Sequence, residues 1–204
     1  MTILILGLMI FLGIHSIQIV SPRIRARATY RLGEKTWIGL YSAISFVGLV
    51  LIIIGYGETR ANPHFLFFPP PLFKIAAVFL MLPVFPLIFA AYLPGRIKEA
   101  VPHPMLTGVL LWSLAHLIAV GTSASLVLSG SFLVWSTLDI LSYRWRAERA
   151  VPGASPGRYN DLIAIIAGLL VYALMIGGLH DWLLGSSYCA NTAGAITCVV
   201  PANL

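Results

Sequence analysis

The side chains able to do chemistry are few, and most lie in apolar surroundings. His15, Gln18, His116, Asp139 and His180 fall inside long apolar runs, and His103 falls at the edge of one. An imidazole can move a proton near neutral pH or give a nitrogen to a metal ion. Inside a membrane such groups are costly and are functional-site candidates by default. His64 precedes Pro69, Pro70 and Pro71 in a polar stretch and reads as a loop residue.

Spacing limits what these residues can do together. His103 and His116 are 13 residues apart. On one helix that is about 220° of rotation and about 20 Å of rise. They cannot hold one metal ion from a single helix, so each needs a partner elsewhere. Trp112 shares a face with His116 and either walls a ligand pocket or packs in the core. His15 shares a face with Leu8, Phe11, Leu12, Gln18 and Ile19, with Gly7 at its edge. A glycine there admits either a flat ligand such as a porphyrin edge or a closely crossing helix.

The elements that must position these residues are membrane helices. Of 204 residues, 59% are hydrophobic and 10% charged. Mean hydropathy is +0.91. Soluble domains carry about 25% charged residues, so a water-soluble enzyme, a disordered chain and a secreted disulfide scaffold are excluded. Six apolar runs approach the roughly 20 residues that a span needs. They cover 3–20, 37–56, 73–93, 104–120, 124–143 and 162–184. The fourth and fifth are separated only by Gly121, Thr122 and Ser123, which predicts a tight helical hairpin. The expected fold is an all-α polytopic membrane bundle, one transmembrane domain over residues 1–185. An uncharged external tail follows over 186–204. Its Cys189 and Cys198 form either a short disulfide loop or two unpaired thiols.

Basic residues set the orientation. Of 13 lysines and arginines, 11 fall after spans one, three and five; only Arg60 and Lys74 fall on the other side. The first run has its basic cluster (Arg23, Arg25, Arg27, Arg31, Lys35) behind it, unlike a signal peptide. Both termini are therefore expected outside. The +6 net charge reads as a topology signal with anionic-lipid contact, and nucleic acid is not an expected partner. Depth then groups the candidates. His15 lies about 8 Å and Asp139 about 6 Å from the cytoplasmic ends of their spans, near His103. His116, about 18 Å from that end, and His180 belong to the outer half. Trp182 marks the outer interface, where His180 is expected to be solvated. His103, with Arg96, Lys98 and Arg144, would line an anion-attracting cytoplasmic mouth.

Two further features concern packing. Pro83 and Pro86 should kink the third span, freeing the carbonyls of Phe79 and Leu82. Small residues four apart (Ser125 and Ser129, Ala164 and Gly168) predict close helix contacts.

The His15-Ser16 pair closing the first span resembles the NnrU family of small membrane proteins. So do the segments His103-Pro104-Met105-Leu106-Thr107-Gly108 and Leu111-Trp112-Ser113-Leu114-Ala115-His116, and Gly121 after them. The resemblance covers spans one to six but not the tail. It implies a role in denitrification and nitric oxide metabolism. Zeta-carotene isomerases look like relatives; they are haem b proteins that isomerise a cis double bond. The resemblance thus implies haem b, with His15 and His116 as the candidate metal ligands and His103 and Trp112 as further cofactor contacts. No C-x-x-C-H motif is present, so such a haem would be noncovalent. In the isomerases a further histidine motif follows the hairpin turn; here residues 132–143 hold Asp139 and no histidine.

Two other functions compete. Membrane methyltransferases of the isoprenylcysteine type use S-adenosylmethionine and share an H-P-x-Y-x-G motif. His103, Pro104 and Gly108 match it, with Leu106 in place of the tyrosine, and Glu148 follows Arg144 and Arg146. Gly157-Arg158-Tyr159 is what stands for their downstream glycine-tyrosine region. The third function is a noncatalytic transport or assembly protein. A transporter of this size would need to form a homo-oligomer, and inverted repeats, its usual signature, are not visible.

Overall fold

Apolar sequence in lipid must satisfy its backbone polar groups internally, and helices do so along one segment. In a computed structural model, the described residues are 1–146, 153–180 and 182, with the backbone of 189–192 and 195–198. The first run forms α1 (Thr2–Val20). Ser21 precedes Pro22 and is extended, as a residue before proline prefers. The chain breaks there into the basic α2 (Pro22–Leu32). The second run lies within α3 (Glu34–Ala61). The third is split into α4 (Pro71–Met81) and α5 (Val84–Tyr92), with Pro83 at the break. The kink expected from the prolines is present, and the freed Phe79 carbonyl accepts from the Leu82 N–H at 3.3 Å. A short α6 (Arg96–Ala100) leads to α7 (Pro104–Ala119). Thr122 caps α8 (Ser123–Ser142), its Oγ1 accepting from the Ser125 N–H at 3.2 Å. α9 (Asn160–Leu174) runs into a π-helical turn, Met175–Leu179.

Five of these segments are long and apolar enough to cross a membrane, α4 and α5 counting as one. The sequence predicts six. The difference is α7, which has 16 residues and a length of about 24 Å, short of a hydrocarbon core of about 30 Å. In the tail, β1 (Cys189–Thr192) and β2 (Ala195–Cys198) pair antiparallel, with Cys189 opposite Cys198 in the register. The cysteine side chains lie outside the described residues.

α1 packs along α3 and also touches α8. Leu4, Leu8, Ile52 and Ala124 are buried at that junction, with Phe11, Leu12 and Phe132 against them. Gly7 faces α3: a Cβ there would stand 2.6 Å from the Ile52 backbone nitrogen. Of its two readings, the close helix crossing is the one observed. α5 packs on α7 and α9. The small residues expected at helix contacts are buried: Ser125, Ser129, Ala164 and Gly168. The outward faces carry exposed large hydrophobics such as Phe46, Ile53, Phe79 and Leu170, as lipid contact requires. The segments 21–33, 93–103, 143–146 and 153–159 gather at one end of the bundle. At the other end, the Gly121 carbonyl accepts from the Leu66 and Phe67 N–H groups, and the His64 carbonyl from the Ser123 N–H. His64 is a loop residue, as expected.

Candidate functional site

At the end carrying the basic segments, a pocket of about 930 Å³ opens between α1, α3, α7 and α8. α1 brings its last turns, including His15 and Gln18. The start of α3 brings Trp37 and Tyr41. The start of α7 brings His103, Pro104, Met105 and Leu106; α8 and the turn after it bring Trp135, Asp139, Tyr143 and Arg146. Arg25 and Lys98 add cations to the lining. That volume falls within the roughly 300–1,000 Å³ of ligand sites.

His15 is fixed in place. Its Nδ1 is 2.6 Å from the Phe11 carbonyl oxygen. A carbonyl only accepts, so Nδ1 carries the proton and, in the neutral ring, Nε2 carries the lone pair. Its ring packs 4.3 Å from Phe11, 5.2 Å from Tyr41 and 6.0 Å from Trp135, centroid to centroid. The Trp135 Nε1 is buried, with no acceptor among the described residues.

The polar floor is built around Arg146. It pairs with Asp139, its Nε donates to Ser142 Oγ, and its Nη1 donates to Gln18 Oε1 at 3.3 Å. Ser142 Oγ donates to the Asp139 carbonyl at 2.6 Å. The Arg146 guanidinium also lies 3.9 Å above the Tyr143 ring, on which His103 stacks at 3.7 Å. Lys98 Nζ donates to the Ala91 carbonyl at 3.0 Å. Asp161 of α9 accepts from the Arg96 and Ile97 N–H groups at 2.9 and 3.0 Å, holding α6 at the rim.

The fold thus brings together His15, His103 and Asp139, the three that depth places in one half. It does not bring His116 to them. Phe11 and Phe132 are 5.9 Å apart, Phe132 and Trp112 5.5 Å, and Trp112 and His116 4.8 Å. These rings link His15 to His116 without a shared pocket. Trp112 packs in that row and does not line the pocket. His180, expected at a solvated interface, is half-buried with its ring 6.2 Å from His116. The expected cationic mouth is also rearranged: Lys98 lines the pocket, but Arg146 and Arg25 take the places assigned to Arg144 and Arg96. The turn after α8 continues the helical path far enough to carry Arg146 back over Ser142, whereas Arg144 is exposed. Glu148 lies outside the described residues. Among the described residues no group of three or more His, Cys, Asp or Glu side chains could hold a metal ion. One strong axial nitrogen suffices for haem, so a single imidazole such as His15 is still a fitting donor.

A family model described as NnrU protein matches residues 3–188. Neither a curated protein nor a solved structure matches the chain. The chain belongs to the NnrU family, an assignment that covers nearly its whole length.

Proposed function

For this member of the NnrU family, we propose a haem b-binding protein of the bacterial inner membrane, serving nitrogen-oxide metabolism. The observation that carries the reading is the setting of His15. Its Nδ1 proton is held by the Phe11 carbonyl, which orients the ring and leaves Nε2 as the donor on a pocket of about 930 Å³. Metal-bound histidines are held by the same kind of bond through the ring nitrogen that does not bind the metal. Trp37, Tyr41 and Trp135 offer flat apolar walls, while Arg25 and Lys98 offer cations to a ligand's carboxylates. His103 lies on the same pocket as a polar donor beside Tyr143. Haem bound there supplies iron redox and ligand-binding chemistry, tuned by the axial ligand and the dielectric around it. The reading includes six crossings, with α7 and α8 as a hairpin and both termini outside.

The test is an absorption spectrum of the purified protein in detergent, after haem-supplemented expression. The expected result is a Soret band that shifts on dithionite reduction. His15→Ala should lose the bound haem and His64→Ala should keep it. A colourless protein would refute the reading.

One observation favours the S-adenosylmethionine-dependent methyltransferase as a second reading. His103 and Arg146 share both the pocket and the Tyr143 ring. Saturable S-adenosylmethionine binding, abolished in His103→Ala, would promote it over haem.

A further inference from the structure

The end of the bundle opposite the pocket carries a segment that is neither helical nor polar. Between α3 and α4 the chain reads Phe65-Leu66-Phe67-Phe68, followed by Pro69, Pro70 and Pro71. All four large side chains are exposed, Phe68 at 79%. The Phe65 and Phe68 rings stack on each other, 5.1 Å between centroids. The exposed apolar surface continues into α4 through Leu72, Phe73 and Ile75. A contiguous apolar patch of this kind marks a surface that meets a partner or a membrane.

The backbone of this segment is prepared for an apolar medium. Loops are excluded from the hydrocarbon interior because their backbone groups go unsatisfied. The fewer such groups a segment has, the nearer to the hydrocarbon it can lie. Here the Leu66 and Phe67 N–H groups donate to the Gly121 carbonyl at 2.8 and 3.3 Å. The His64 carbonyl accepts from the Ser123 N–H at 2.9 Å, and Phe65 bridges to Thr122 as an antiparallel pair. The three prolines have no N–H to satisfy, and the Pro70 carbonyl accepts from the Phe73 N–H at 2.9 Å. Among the described residues the Phe65 and Phe68 N–H groups have no backbone acceptor. That suits the edge of the hydrocarbon, where water and ester carbonyls remain, and not its centre.

Helix lengths place the segment at that edge. α8 is about 30 Å long, the thickness of a hydrocarbon core, and its first residue, Ser123, is bonded to His64. The apolar run of α3 ends at Tyr56, and residues 57–61 carry the helix about 8 Å farther. The chain then turns back over residues 62–64 to the level at which α8 begins. Lys74, exposed in the first turn of α4, reaches headgroup phosphates from there by its long stem. Lipid is the occupant favoured over a protein partner, because the patch runs without a break into the outward face of α4 at Ile75 and Phe79. We propose that residues 65–73 form a lipid-inserted loop. Its phenylalanines lie among the acyl chains just below the headgroups, and lipid rather than water meets the α7–α8 turn at Gly121.

The test puts a nitroxide spin label on the full chain in vesicles of phosphatidylcholine and phosphatidylglycerol. Cys189→Ser and Cys198→Ser remove the native thiols, and Phe68→Cys supplies the labelled one. Electron paramagnetic resonance then compares access by oxygen, which concentrates among acyl chains, with access by a nickel chelate, which stays in water. The label at position 68 should favour oxygen as strongly as labels at Phe46→Cys or Ile53→Cys, on the exposed face of α3. A label at Asn62→Cys, above the turn, should favour the chelate. Phe67→Ser with Phe68→Ser should move a label at Leu66→Cys toward the chelate and leave one at Phe46→Cys unchanged, which separates loss of the anchor from misfolding. A label at position 68 that favours the chelate would overturn the proposal by placing the loop in water. Low access to both reagents would also overturn it by giving the patch to a protein surface, and spin–spin broadening would then identify that surface as a second copy of the chain.

Discussion

Asp139 and Arg146, seven residues apart, meet as an ion pair in the floor of the pocket, with side chains 12% and 6% exposed, the aspartate's the larger. Two helical turns put them on one face, and Ser142 between them bonds to both. A buried pair is a weak source of stability, but removing one partner strands the other, at a cost of about 3–5 kcal/mol. Asp139→Ala and Arg146→Ala should each lower the thermal stability of the detergent-solubilised protein sharply. The double change Asp139→Leu, Arg146→Met should recover most of it. Equal losses in single and double variants would show that the pair is not acting as a unit.

The α1–α3 crossing gives a second expectation. Gly7 meets the α3 backbone at Ile52, while Gly57 has open space around the position of a Cβ. Gly7→Val should destabilise by about 1–3 kcal/mol through overpacking. Gly57→Ala should be neutral or slightly stabilising. Thermal unfolding of both variants checks this; a tolerant Gly7 would mean that the helices cross farther apart.

Asp161 is a cap supplied from another helix, since it belongs to α9 and accepts from the first N–H groups of α6. Asp161→Ala should cost about 0.5–2 kcal/mol. The loss should concentrate in residues 93–103, as faster hydrogen exchange there than in α1 or α3. Uniform exchange along the chain would assign Asp161 a global role instead.

Topology can be read with reporter fusions. Fusions after Gly121 and after Leu184 should be active outside the cytoplasm, and fusions after Glu99 inside it. Cytoplasmic activity after Gly121 would defeat the orientation expected from the basic residues.

Hydropathy alone locates the long helices, because lipid leaves the backbone no alternative partner. The grouping of His15, His103 and Asp139 is legible from depth, which depends only on distance from a helix end. Arg146 is legible in the i, i+3, i+7 spacing of Asp139, Ser142 and Arg146, provided the helical path runs one turn past the apolar run. Counting arginines as loop charges hides that spacing. The meeting of His116 and His180 is not legible, because it depends on the π turn at Met175–Leu179, whose only trace in the sequence is Gly177-Gly178. The length of α7 is legible, since its apolar run 104–120 already falls short of the roughly 20 residues of a span; the helix stops one residue earlier still, because Val120 is extended.

The shortness of α7 reshapes the dielectric boundary. At 16 residues it is about 24 Å long, beside α8 at about 30 Å and α3 at about 42 Å. A short helix packed among longer ones leaves a recess at each of its ends. At one end the recess is stoppered by the chain at Leu66 and Phe67, bonded to Gly121. At the other it stays open and is the pocket itself. Water can follow that opening inward, so the Asp139–Arg146 pair sits closer to a polarisable medium than its distance along α8 implies. The bundle thereby holds charge at a depth where a uniform slab of hydrocarbon would expel it.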